Sequence, residues 1–166
     1  MKVELPAIEL NCWRQGLREL PDEIFSRTDI ETLNASENRL TSLPEAIGNL
    51  TELHTLDLGH NRLADLPESL GRLHNLSYYL YLHDNKLTRL RDSLFVSMKR
   101  LRYLNVSGNR LSRLPESTET SNPWRSCTRI TTLSSSCLSR LPGSRLCASC
   151  TSVTPGCQRC PEQFVA

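Results

Sequence analysis

The residues with the most chemistry to offer stand near the C-terminus, in "CASCTSVTPGCQRC". Its pairs Cys147/Cys150 and Cys157/Cys160 each have C-x-x-C spacing, which lets four thiolates surround a tetrahedral zinc ion. Six of the seven cysteines lie beyond residue 120, and only Cys12 lies earlier in the chain. The four histidines, His54, His60, His74 and His83, are scattered through the earlier part without the Ser, Cys or carboxylate spacing that an active site needs. Asp57 and Asp84 come within reach of His60 or His83 if all four share one face, but surface polar clusters of this kind are usually solvated. The expectation is a chain with no catalytic residues, no cofactor and no enzyme activity.

What must position these residues is a period. Leu17, Leu40 and Leu63 are spaced by 23, as are Leu20, Leu43 and Leu66, Pro21, Pro44 and Pro67, and Ile24, Ile47 and Leu70. Asn38 and Asn61 keep the same interval. The unit is clearest in "LHTLDLGHNRLADLPESLGRLHN", Leu53 to Asn75, with the spacing L-x-x-L-x-L-x-x-N-x-L followed by x-x-L-P. In "TLDL" apolar and polar residues alternate, so Leu56 and Leu58 point one way while Thr55 and Asp57 point the other, as in a short strand. One such strand buries nothing alone; stacked copies form a parallel sheet in which each copy covers the next. The Asn that follows can satisfy backbone groups where the chain leaves the sheet, which predicts a ladder of Asn38, Asn61, Asn85 and Asn109.

Departures from the unit carry information. Gln15 occupies the Asn slot of the first copy, and Cys12 takes an inward slot equivalent to Ala35 and Leu58, which reads as a small buried hydrophobe. The fourth copy, "LSYYLYLHDNKL", has one residue more than the unit between Leu76 and Leu80, and a bulge is expected beside Tyr78 and Tyr79. It also has Arg91 in the Pro slot and an extra residue on its outer side, with Phe95 and Met98.

Residues 5–116, with their "LPEAIGNLTEL" and "LPESLGRLHNL" phrases, resemble leucine-rich repeat proteins of the intracellular Ras-group type, in about five copies. The resemblance implies an α/β fold, a right-handed solenoid with a parallel β-sheet on its concave face, and it implies another protein as the partner, in a scaffold, signalling or effector setting. It names neither partner nor pathway. Outward strand slots fall into rows: Glu9, Thr32, Thr55, Tyr79 and Tyr103; Asn11, Asn34, Asp57, Tyr81 and Asn105; Trp13, Ser36, Gly59, His83 and Ser107. Exposed aromatics are over-represented at interaction hot spots. The expected contact residues are therefore Trp13, Asp57, Tyr79, Tyr81, His83, Asp84 and Tyr103. The competing account is that the tyrosines only brace a strand distorted by the inserted residue.

Composition narrows the setting. The chain has 166 residues, 38% hydrophobic and 23% charged, with a net charge of +2 and no basic stripe, so nucleic acid and anionic membrane are not expected partners. The opening "MKVELPAIELNCW" lacks the apolar core of a secretion signal, and no stretch approaches the roughly 18 apolar residues of a membrane span. A cytoplasmic protein is expected. Four Asn-x-Ser/Thr sequons, at Asn34, Asn49, Asn75 and Asn105, would suit the alternative of a secreted receptor fragment.

The last third changes language, dividing the chain into a repeat domain, 1–117, and an irregular Ser/Cys/Arg-rich tail, 118–166, expected to be largely disordered. A zinc cap on Cys147, Cys150, Cys157 and Cys160 would close the exposed end of the solenoid, and this is the alternative for the tail. The period favours another origin. Adding 23 or 46 to Leu101, Leu104, Leu111 and Leu114 gives eight positions, and seven of them are Trp124, Cys127, Cys137, Cys147, Cys150, Cys157 and Cys160, which are all the Trp and Cys of the tail. Trp and Cys codons begin TG, so the neighbouring frame reads NTG, a codon for Leu, Met or Val. The tail thus looks like further repeats read out of frame from a point between Ser117 and Trp124, with no geometry selected for a metal.

Overall fold

A computed structural model describes residues 8–112 and the backbone of 129–131. Six strands form one parallel sheet in chain order: β1 (Ile8–Asn11), β2 (Ile30–Asn34), β3 (Thr55–Asp57), β4 (Tyr79–Tyr81), β5 (Tyr103–Asn105) and β6 (Arg129–Thr131). Register follows the period, with Leu10, Leu33, Leu56, Leu80 and Leu104 aligned across successive strands. The inward residues Leu33, Leu56, Leu80 and Leu104 are wholly buried, as are Ala35, Leu58 and Leu82 in the next inward slot. The result is an α/β solenoid with a continuous apolar spine. Cys12 lies buried at the end of that second row, and burial pushes its thiol pKa up, away from reactivity.

The outer side is built from short helical turns. Pro21, Pro44 and Pro67, with φ of −59°, −72° and −68°, lead into 3-10 turns at Asp22–Ser26, Glu45–Asn49 and Glu68–Arg72. Proline suits that position because its fixed φ is already near helical and its missing N–H is not needed there. Ile24, Ile47 and Leu70 turn inward from these segments. In the fourth copy Arg91 replaces Pro, and the extra residue lengthens the turn into an α-helix, α1 (Asp92–Ser97), which buries Leu94 and Phe95. Arg91 and Arg89 both reach Asp65 of the preceding copy, at 2.7 and 3.0 Å.

Each of β1 to β5 leaves the sheet through one left-handed residue. Arg14, Glu37, His60 and Asp84 have φ between 51° and 54°, and Gly108 has φ of 64°. A left-handed non-glycine residue costs about 1–2 kcal/mol, so the turn must be held by something else. The next residue holds it. Asn61 Nδ2 donates to the carbonyls of Leu58, Gly59 and, in the copy before, Ala35, while its Oδ1 accepts the Leu40 N–H. Asn38, Asn85 and Asn109 make the same four contacts one copy earlier or later. Gln15, in the first copy, makes one contact, a 3.4 Å bond to the Asn11 carbonyl.

The inserted residue of the fourth copy is absorbed as a bulge. The N–H groups of Ser77 and Tyr78 both donate to the His54 carbonyl, at 3.3 and 3.0 Å, and Tyr79 then resumes pairing opposite Thr55.

The sequence leaves the fifth copy without a neighbour, and here the structure corrects it. Strand β6 pairs with β5, aligning Ile130 with Leu104. A 23-residue interval would have put Cys127 there instead. "TRITTL", read in its own frame, is rich in β-branched residues, which favour extended backbone. Cys147, Cys150, Cys157 and Cys160, and the rest of 118–166 apart from β6, lie outside the described residues.

Candidate functional site

Parallel register brings the outward slots into rows across the concave face. Glu9, Thr32, Thr55, Tyr79 and Tyr103 stand side by side, as do Asn11, Asn34, Asp57, Tyr81 and Asn105. The second row has a local task. The side-chain oxygens of Asn11, Asn34, Asp57 and Asn105 each accept the N–H two residues on, from Trp13, Ser36, Gly59 and Ser107, at 2.9–3.1 Å. Such bonds shape the exit from the strand. Among the described copies only the fourth departs from the pattern, because Tyr81 has no acceptor near enough to the backbone to make the turn.

Tyr81 instead joins an aromatic cluster. Its ring stacks on Tyr79 at 5.8 Å with 11° between planes, and Tyr103 lies 5.4 Å from Tyr81 and 6.0 Å from Tyr79. These separations fall in the range where aromatic pairs attract beyond simple area burial. Tyr79 is 43% exposed, while Tyr81 and Tyr103 are half-buried. Burial, with Tyr103, Tyr79 and Asp57 alongside, pushes the Tyr81 phenol pKa up, so it remains a neutral hydrogen-bonding group. The cluster is larger than the spacing suggested. Tyr78 sits 6.5 Å from Tyr79, against His54 on one side and with the Arg102 guanidinium 5.4 Å over its ring. The inserted residue was the signal for this: a bulge puts two consecutive side chains on one side of a strand.

Below the tyrosines, three ligating groups converge. His83 meets Tyr81 edge-on at 6.0 Å and His60 edge-on at 4.8 Å. His60 Nδ1 lies 3.5 Å from Asp84 Oδ2. One ligand atom from each of His60, His83 and Asp84 falls within 4.8 Å of the others. His60 and His83, scattered in sequence, are neighbours in space because the left-handed exit at His60 places it beside the next copy, where its N–H donates to the His83 carbonyl at 2.9 Å. Two glycines make the room. A Cβ on Gly59 would overlap the His83 imidazole, and one on Gly108 would overlap the Asp84 carboxylate.

The other expected contact residues are not all brought together. Asp57 lies next to Tyr81 in register and spends Oδ1 on the Gly59 N–H. Trp13 is 47% exposed under the Arg14 guanidinium, 5.1 Å from its ring, but it sits three strands from Tyr79, about 14 Å at ordinary strand spacing. Asn38, Asn61, Asn85 and Asn109 lie behind the face, among backbone groups.

The comparisons with known proteins agree with this architecture. The family described as "Leucine rich repeat" matches residues 75–119, and "Leucine Rich repeats (2 copies)" matches residues 28–78. No curated protein matches the chain. Among solved structures, a leucine-rich repeat protein of Leptospira interrogans is similar at 31% identity and a TM-score of 0.60, over 75% of this chain and 36% of that one. The plant peptide hormone receptor RGFR1, in complex with RGF2, is similar at 30% identity and a TM-score of 0.55, over 69% of this chain and 19% of the receptor. The chain thus spans about a third and a fifth of these two proteins. Among the described residues no helix is long and apolar enough to cross a membrane.

Proposed function

Because the chain belongs to the leucine-rich repeat family, whose members generally mediate protein–protein interaction, we propose that it is a non-catalytic, cytosolic scaffold taking a segment of another protein on its concave face. The observation that carries the reading is Tyr81. In every other described copy that slot holds an Asn or Asp that makes the turn; here the turn-making side chain has been given up for a partly exposed ring stacked on Tyr79. Local structural chemistry is surrendered most often where function asks for it. Tyr79, Tyr81 and Tyr103 act as the anchors, and Asp57, His83 and Asp84 supply the polar margin. Trp13 is a second, separate contact for a longer ligand. The plant receptor of the same fold, solved with RGF2 bound, supports the use of such a solenoid for capturing a polypeptide. A cytosolic setting fits this face, because a glycan on Asn105, the register neighbour of Tyr81, would cover the tyrosines.

The test is a triple variant, Tyr79→Ala with Tyr81→Ala and Tyr103→Ala, presented to proteins that copurify with the unmodified chain. Loss of hot-spot anchors weakens binding by about 2 kcal/mol or more, while far-ultraviolet circular dichroism stays nearly unchanged. Retention of the copurifying proteins by the triple variant sinks the reading.

A further inference from the structure

From the convergence of His60, His83 and Asp84 we infer a binding site for a divalent late first-row transition ion, of which Zn2+ is the natural probe. The donor set is two imidazole nitrogens and one carboxylate oxygen, which suits such ions and not Mg2+ or Ca2+, whose shells are built from oxygen. Metal–ligand bonds of about 2.0–2.1 Å place two tetrahedral ligands about 3.3 Å apart. His60 Nδ1 and Asp84 Oδ2 already stand 3.5 Å apart, and one ligand atom from each of the three residues lies within 4.8 Å of the other two. Rotation of exposed side chains closes that remainder. Three protein ligands leave a fourth position for water or for a side chain of a bound protein.

Two further observations set this trio apart from a chance surface cluster. Nδ1 of His83 is buried with no hydrogen-bond partner, so no structural hydrogen bond accounts for that nitrogen of the imidazole. Gly59 and Gly108, in two different copies, each leave the space that the His83 ring and the Asp84 carboxylate fill. The site does not depend on the tyrosine face being the protein contact.

The experiment follows the imidazole resonances of the full chain, four histidines in all, as Zn2+ is added under reducing conditions. This readout is specific to the histidines, whatever share of the ion the tail cysteines take up. The signals of His60 and His83 move together along one saturating curve, and those of His54 and His74 stay in place. Asp84→Asn keeps the left-handed turn, which Asn tolerates, and shifts the curve to higher Zn2+. Separate curves for His60 and His83, no movement of either, or a curve untouched by Asp84→Asn overturns the site and leaves an ordinary polar contact between His60 and Asp84.

Discussion

Asn61 binds across the interval between copies, its Oδ1 accepting the Leu40 N–H at 3.0 Å while its Nδ2 donates to the Ala35 carbonyl at 2.9 Å. Both partners belong to the copy before it, so the side chain is a strut between repeats as well as a lock on its own turn. Asn61 is buried, and its backbone partners have no water to turn to. Asn61→Ala should therefore lower unfolding stability by about 1–3 kcal/mol. Gln15→Ala, at an exposed position with one long hydrogen bond, should stay within about 0.5 kcal/mol. Urea denaturation of the two variants decides it, and equal losses would count against the strut.

Gly48 and Gly71 occupy the same slot one period apart, yet alanine should act oppositely at the two. A Cβ on Gly48 would lie 2.7 Å from the Ser69 carbonyl oxygen and 2.8 Å from its Cβ. The obstacle is largely backbone, so overpacking, about 1–3 kcal/mol, outweighs the gain of up to about 1 kcal/mol from removing a glycine. At Gly71 the nearest atoms, in Ser97, Ser93 and Leu94, stand 3.4–3.6 Å away, because the longer helix α1 packs there in place of a 3-10 turn. Gly71→Ala should be neutral or stabilising by about 0.4–1 kcal/mol. Thermal melts of both variants, read side by side, test whether α1 changes the packing distance.

Much of this fold was legible because a period fixes register: a fixed spacing in sequence becomes a fixed neighbour in a stacked sheet. The bulge at Ser77–Tyr78 was equally plain, since one surplus residue between Leu76 and Leu80 has nowhere else to go. The meeting of His60 with His83 and Asp84 is legible in the sequence only as a possibility, and His60 is absent from the expected contact residues, for a physical reason. Slots were assigned to the concave face by strand alternation, and alternation ends at Gly59; His60 reaches the site only through its left-handed φ, which spacing does not reveal. The sixth strand escaped for a different one. Ile130 pairs with Leu104 at an interval of 26, not 23 (130 − 104), so a search by period passes over it.

Asp65 ties the third copy to the fourth through an ion pair with a definite pH signature. Burial would raise its carboxyl pKa, but a hydrogen bond from Arg89, the Leu66 N–H and the charges of Arg91 and Arg89 outweigh that and hold it below the ordinary value of 3.8. A carboxylate with a depressed folded pKa adds stability that is fully present above the unfolded value and fades as pH falls through the folded one. Asp65→Asn should thus lower stability at neutral pH by a few tenths of a kcal/mol, up to about 1, for a partly exposed network. The difference from the parent chain should shrink as pH drops below 3.8. A deficit that stayed constant down to strong acid would show that packing, not charge, is what the substitution removes.

Strand β6 makes the contribution of the tail to the solenoid measurable, whatever the origin of its sequence. If the tail contributes nothing, a chain ending at Ser117 melts with the full chain. Yet β5 carries β6 along its outer edge, over Tyr103–Asn105 paired with Arg129–Thr131, and losing that strand leaves the backbone groups of β5 to water. Each ladder hydrogen bond is worth about 0.5–1.5 kcal/mol net, so removing two or three should cost roughly 1–4 kcal/mol. An accidental sequence is able to supply this much, because an open parallel edge accepts any extended segment through main-chain bonds that do not read side chains. Two truncations separate the accounts. A chain ending at Thr131 should melt close to the full chain, and one ending at Ser117 should melt several degrees lower, since 1 kcal/mol shifts a domain of this size by about 2–8 °C. If both truncations melt with the full chain, β6 adds nothing to the solenoid. If both melt low, the stabilising residues lie beyond Thr131, where the cysteine pairs are.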